Sequence, residues 1–175
     1  MKLSKMFALL FSTVVLASVA VACGGATTIK IGMLNPQTGP IAQFAPGFDA
    51  SGKAAIAELN ATHADKYVFE LIVADSGCDA TTAATAAQTL IDSGVSIIVG
   101  AACSGATTAA VGVAAPAGVP MISYASTSPA LTTIKDDGNF FRVVPSDAQQ
   151  SVALSDLAKA RGVTKPAVLY MTNDY

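Results

Sequence analysis

Tryptophan is absent from this sequence of 175 residues, and histidine occurs once, as His63 in the polar stretch Asn60-Ala61-Thr62-His63-Ala64-Asp65-Lys66. That setting reads as a surface position, and no His/Cys/Asp/Glu group has metal-ligand spacing. The three cysteines include no CxxC pair, which argues against thiol exchange and against a zinc ribbon. A Gly-rich P-loop with its lysine is missing, and Gly32 begins no GxGxxG pattern, so nucleotide phosphates find no cradle. The N-terminal apolar run, Met6 to Val21, has 16 residues, short of the roughly 20 that cross a hydrocarbon core as a helix. A permanent transmembrane anchor is therefore not expected. No metal, cofactor or catalytic residue is expected either. Ser104 and Cys103 are nucleophile types with nothing to activate them, while Asp75, Asp79, Asp136 and Asp137 fall where capping and solubility account for them.

What is present begins with Lys2 and Lys5, which precede the apolar run, and with Ala20-Val21-Ala22-Cys23, which ends it. A basic start, an apolar middle and a small-residue end make an export signal. This ending, followed by Gly24-Gly25, resembles a lipobox, in which the Cys23 thiol is acylated and becomes the first mature residue. Ala20 stands where leucine is usual, and plain cleavage nearby is the other outcome. Removing residues 1–22 takes away two lysines and no acid, leaving eight of ten basic residues against twelve acidic ones, a net charge of −4. Neither nucleic acid nor an anionic membrane surface is favoured as a partner by that balance. The remainder suits one compact domain, and a 52% hydrophobic composition supplies a sizeable core. Export into an oxidising compartment lets Cys78 and Cys103 pair, the alternative being two buried free thiols. Closing that loop of about 25 residues would contribute on the order of 3 kcal/mol.

Apolar runs then alternate with helical patterns. Strands are expected at Thr28–Leu34, Val68–Ala74, Ser96–Gly100, Val119–Tyr124, Phe140–Val144 and Ala167–Met171. Helices are expected from about Phe48 to Asn60, after Asp79 as cap with Ala83, Ala84, Ala87, Leu90 and Ile91 on one face, and from Gly105 to Ala115. A fourth helix opens at Ser146, whose spacing to Gln149 is that of a capping box, and runs to Arg161. Strands separated by helices of this length imply a parallel sheet covered on both sides, a doubly wound, Rossmann-like α/β domain. Ligands of such sheets bind beyond the carboxyl ends of the strands. That rule selects Pro36 to Pro46, Ala101 to Thr108, and Tyr124 to Pro129.

Cys103-Ser104-Gly105-Ala106-Thr107-Thr108 joins a buried strand to a helix and so presents unpaired backbone N–H groups beside hydroxyls, a site for an anion such as a carboxylate. A plain helix cap at Ser104 is the alternative. Ser123-Tyr124-Ala125-Ser126-Thr127-Ser128-Pro129 also follows a strand and adds the Ala125 carbonyl and the Thr127 hydroxyl as acceptors for an ammonium. An ordinary Ser/Thr turn would account for it as well.

These stretches carry a resemblance that extends from Lys30 to Tyr175. With Thr38-Gly39-Pro40, Cys78-Asp79, Gly118-Val119-Pro120-Met121-Ile122-Ser123, Thr127-Ser128-Pro129-Ala130-Leu131, Phe141-Arg142 and Pro145-Ser146-Asp147-Ala148-Gln149-Gln150, the chain resembles the leucine/isoleucine/valine-binding receptors of ABC importers. The resemblance implies a type I periplasmic-binding-protein fold and amino-acid transport, with a disulfide between Cys78 and Cys103. It also implies that Ser104 and Thr127 hold the ligand's α-carboxylate and that the Ala125 carbonyl, assisted by the Thr127 hydroxyl, accepts from its α-ammonium. Ser126 lies in the same loop. Phe44 falls where that family often has a tyrosine near the ligand, and Tyr175 matches an aromatic of the second lobe that borders it.

The expected organisation is a signal peptide at 1–22, an anchor linker at 23–27, a ligand-binding lobe at 28–145, and at 146–175 the start of a second, truncated lobe. The resemblance places the chain outside the cytoplasmic membrane, in the periplasm or lipid-anchored on the outer face, with a small amino-acid-like ligand and an importer's permease as partners. Two other readings keep the fold: a receptor for urea, short amides or other small carboxylates, and the sensory domain of a transmembrane receptor.

Overall fold

β-Branched runs and small-residue helical stretches assemble a three-layer α/β arrangement in the computed structural model, which describes residues 26–170. The export signal, Cys23 and Tyr175 lie outside the described residues. Among those described, β1 (Thr27–Asn35), β2 (Tyr67–Asp75), β3 (Ile97–Val99), β4 (Met121–Ser123) and β5 (Phe140–Arg142) form one sheet in the order β2-β1-β3-β4-β5. Every pairing is parallel. The helices are α1 (Ala45–His63), α2 (Ala80–Asp92), α3 (Ser104–Ala114) and α4 (Asp147–Ala160). The doubly wound sheet read from the sequence is present, and its strand order reverses between β1 and β3.

Alternation along β1 sends neighbouring side chains to opposite faces. Met33, with Leu71 of β2, faces α1, whose Phe48, Ile56 and Leu59 share a groove with them. Gly32 faces α2, and a Cβ there would stand 3.0 Å from Leu90 Cδ1, so the glycine permits close helix–sheet packing. On this second face Leu34, Leu90, Ile98, Val111 and Met121 are fully buried beside Ala83, Ala87, Ala106 and Ala110. Small side chains let α2 and α3 approach closely, and each large aliphatic removed from water contributes about 1.5–3 kcal/mol.

Local signals set the element ends. Asp79 caps α2 by accepting from the Thr82 amide at 2.8 Å. The Asn60 amide grips edge strand β2 at Phe69, donating to the Phe69 carbonyl at 2.9 Å and accepting from the Phe69 amide at 2.7 Å. That grip occupies backbone groups an edge strand otherwise leaves open.

Two sequence expectations need correction. The sixth strand does not form over Ala167–Tyr170, and Met171 lies outside the described residues. Val168, Leu169 and Tyr170 are exposed, and α4 before them buries no residue, so this stretch is neither packed against the described core nor paired with a described strand. The capping box at the start of α4 is also replaced. Ser146 Oγ accepts from the Ala148 amide at 3.3 Å rather than from Gln149, whose amide bonds the Ser146 carbonyl at 2.9 Å.

Candidate functional site

Three loops leave the carboxyl edge of the sheet side by side, because β1, β3 and β4 are adjacent and parallel. The chain after β3 turns at Gly100, where φ is +122° and a Cβ would collide with the Leu34 carbonyl. Only glycine fits there. Ala101, Ala102 and Cys103 then run fully buried to the start of α3. Cys103 occupies the N-cap without a side-chain cap bond, so the first-turn N–H groups of α3 keep their donor capacity. The expected disulfide is present: Cys103 bonds Cys78, with Cα atoms 5.3 Å apart, tying this loop to the turn before α2.

Buried hydroxyls lock the loop after β4 to the loop after β3. The Ala101 carbonyl accepts from Ser123 Oγ at 2.7 Å, from Ser126 Oγ at 3.1 Å and from Thr107 Oγ1 at 3.2 Å. Ser126 Oγ also lies 2.7 Å from Thr107 Oγ1 and 3.1 Å from the Ala102 carbonyl, and Ser123 Oγ accepts from the Ser126 amide at 3.0 Å. Such a satisfied network holds both loops in one arrangement. Ser126, expected beside the ligand, sits inside this network with no exposed surface.

Ser104 and Thr127 stand at the edge of the network with opposite hydrogen-bond polarity. Ser104 Oγ accepts from the Ser128 amide at 3.2 Å, and no described residue takes its proton. Thr127 Oγ1 gives its proton to Asp147 Oδ2 at 2.9 Å, which leaves its lone pairs for a donor. A hydroxyl has one proton and two lone pairs, so these partners decide what each can offer a ligand. The Ala125 carbonyl receives no hydrogen bond from the described residues. Donor capacity therefore gathers at Ser104 and the start of α3, and acceptor capacity at the Ala125 carbonyl and the Thr127 hydroxyl. Of the groups Thr127 would offer a carboxylate, only its backbone N–H, which no described residue accepts, remains a donor.

Aromatic side chains cluster between α1 and the residue before Ala125. The rings of Phe48 and Tyr124 lie 4.9 Å apart and those of Phe44 and Phe48 6.4 Å apart, with Phe44 half exposed. Tyr124 donates to the Leu34 carbonyl at 3.2 Å, and burial, reinforced by the Asp49 charge, pushes its phenol well above the usual range. Tyr124 is a neutral wall next to Ala125. Phe44 connects to Tyr124 through this chain of rings and takes no part in the polar network. An apolar groove of about 490 Å3 opens beneath α1, but its lining carries only the hydroxyls of Ser51 and Tyr124 as side-chain polar groups and suits no charged head.

Sequence reading missed two contributors. Arg142 donates to the carbonyls of Ser128 at 2.8 Å and Ser126 at 3.3 Å and to Thr132 Oγ1 at 2.6 Å, which clamps the loop after β4 from behind. Asp147 binds Thr127 by side chain and by its backbone amide, 2.8 Å from the Thr127 carbonyl. Both lay inside stretches quoted for the resemblance, where the motif alone gave no role. Elsewhere, His63 is exposed, with Nδ1 2.7 Å from Thr62 Oγ1. Burial works against the Asp75 charge, yet hydrogen bonds from Thr38 and Gly77 hold its pKa below the usual carboxylate value. No group of three or more His, Cys, Asp or Glu able to hold a metal occurs among the described residues.

A family model described as periplasmic binding protein matches residues 28–175. The chain is 30% identical over 168 residues to the leucine-, isoleucine-, valine-, threonine-, and alanine-binding protein of Pseudomonas aeruginosa, covering 95% of this chain and 45% of that protein. Among solved structures it is similar to the branched-chain amino acid transporter substrate binding protein LivJ of Streptococcus pneumoniae in complex with isoleucine. There the TM-score is 0.64 and the identity 35%, over 69% of this chain and 35% of that one. It is also similar to a solute binding protein of Rhodopseudomonas palustris in complex with 3,4-dihydroxy benzoic acid, with a TM-score of 0.70 and 29% identity over 78% of this chain and 37% of that one. The chain spans less than half the length of the curated relatives it matches.

Proposed function

The chain belongs to the periplasmic binding protein family, a family of solute-binding proteins, and on that footing we propose that it forms the first ligand-holding lobe of an extracytoplasmic receptor that delivers a small aliphatic α-amino acid to an ABC importer. The observation that carries this reading is the sorted polarity of the cradle. Ser104, with its proton free, and the N-terminus of α3 suit a carboxylate. Ala125 and Thr127, with lone pairs free, suit an ammonium. An α-amino acid presents both charges on neighbouring atoms, and two loops locked together can meet both at once. The names of the Pseudomonas and Streptococcus proteins point the same way.

A benzoate, the kind of ligand named for the Rhodopseudomonas protein, would satisfy the donor side and leave the Ala125 carbonyl and the lone pairs of the Thr127 hydroxyl without a donor. Unpaired polar groups at a closed site cost affinity. The amino acid is therefore the better match. In the proposed mechanism the lobe presents a preformed cradle, a hinge closes a second lobe over the ligand, and the importer's permease recognises the closed state. Tyr175 would border the ligand from the second lobe, and Phe44 from the first. Lipidation at Cys23 would tether the receptor at the outer face of the membrane.

Calorimetric titration of the full-length protein with L-leucine, L-valine, L-alanine, urea and 4-hydroxybenzoate tests the assignment. Heat with amino acids alone is expected; saturable heat with 4-hydroxybenzoate or urea and none with amino acids would overturn it. Palmitate labelling that disappears in Cys23→Ala checks the anchor.

A further inference from the structure

A threonine hydroxyl rotates, and nothing in its chemistry makes it a donor or an acceptor. At Thr127 the choice is made by one contact, the carboxylate of Asp147 at 2.9 Å. Asp147 is itself located by its neighbours. Its amide donates to the Thr127 carbonyl at 2.8 Å, its Oδ1 accepts from Gln150 Nε2 at 3.2 Å, and it stands in the first turn of α4, where the helix dipole favours an acid. Backbone and side chain thus meet Thr127 from two directions, across a sequence separation of 20.

Resting on the amino-acid reading above, we propose that Asp147 is a positioning residue that fixes the Thr127 hydroxyl as an acceptor and so makes the cradle discriminate between ligands with and without an ammonium. With Asp147 in place, the Thr127 oxygen can only receive from the ligand. A carboxylate or carbonyl oxygen brought there meets lone pairs. Without Asp147 the hydroxyl can turn its proton toward the ligand, and the penalty against oxygen-only ligands falls. Asp147 acts through Thr127, so its effect disappears when the hydroxyl is absent.

The test uses the full-length protein and matched probes: L-leucine, L-valine and L-alanine against 4-methylpentanoate, 3-methylbutanoate and propanoate, which lack only the ammonium. Asp147→Ala is expected to lower amino-acid affinity about tenfold while leaving the desamino acids within about twofold or tighter, the loss of one charge-assisted hydrogen bond's orientation. In a Thr127→Val background the same substitution changes nothing further. Asp147→Asn, whose carbonyl oxygen still accepts the Thr127 proton and whose size guards against misfolding, retains most of the discrimination. Equal losses for both ligand sets, a full loss in Asp147→Asn, or an undiminished effect in the Thr127→Val background would each overturn the proposal. If the unmodified protein binds none of the amino acids, the functional reading and this inference fall together; if it binds them and the ratio does not move, this inference alone falls.

Discussion

Arg142 at the end of β5 donates to the Ser128 carbonyl at 2.8 Å, while the Ser128 amide donates to Ser104 Oγ at 3.2 Å. One residue thus joins the sheet's last strand to the first residue of α3. Replacing Arg142 with Leu removes three donors and leaves two loop carbonyls without them. Charge-assisted hydrogen bonds contribute about 1.5–3 kcal/mol each at most, and this guanidinium is partly exposed, so a net loss of about 1–3 kcal/mol is expected. Urea unfolding checks the stability. Ligand affinity falls in parallel for amino acids and desamino acids, because the whole loop moves rather than one group.

Ser104→Ala predicts a different signature. The variant loses the free donor that faces a carboxylate and also leaves the Ser128 amide without its acceptor. Carboxylate is common to amino acids and desamino acids, so both lose about tenfold in affinity. Calorimetry on leucine and 4-methylpentanoate reads the two losses. A loss confined to leucine would place Ser104 against the ammonium instead.

The sheet was legible in the sequence because its strands lie in largely apolar runs bounded by turn residues, and the helices between them carry small residues at helical spacing. Ala167–Tyr170 has a similar local pattern, yet a strand exists only where a ladder partner exists, and a partner is not a local property. Ser104 and Thr127 stood out as candidates because each lies in a loop that follows a strand at the carboxyl edge. Arg142 and Asp147 were not, since their roles come from hydrogen bonds to residues 14 and 20 positions away. In sequence, Asp147 is an ordinary acid at a helix start. Ser126 shows the converse: its type and place suggested ligand contact, while its burial puts the hydroxyl among the loop-locking groups.

Acid stability should depend on Asp79. The Thr82 amide, and then the Thr82 hydroxyl, hold the Asp79 pKa below its ordinary value of 3.8, which the unfolded chain restores. A folded pKa below the unfolded one gives stability that is fully present above about pH 4 and lost as pH falls through the folded value. Asp79→Asn keeps a capping oxygen but cannot titrate. Urea midpoints of this variant should fall less steeply than those of the unmodified protein between about pH 4 and pH 2. Parallel slopes over that window would contradict the role given to Asp79.

The Cys78–Cys103 bond should govern stability and ligand binding together. It closes a loop spanning 25 positions, and cross-links of that length contribute about 3 kcal/mol by restricting the unfolded chain. Its second end is also the N-cap of α3, one residue before Ser104, with the buried alanines 101 and 102 behind it. Reduction frees the turn before α2 from that cap while the hydroxyl network around Ala101 remains. The expected outcome of Cys78→Ala/Cys103→Ala is a loss of about 3 kcal/mol in urea unfolding, with amino-acid affinity reduced less than in Ser104→Ala. The comparison is informative in both directions. Affinity that collapses in a variant still folded at the assay temperature would mean that the disulfide, rather than the buried hydroxyls, holds the start of α3 in its ligand-ready position.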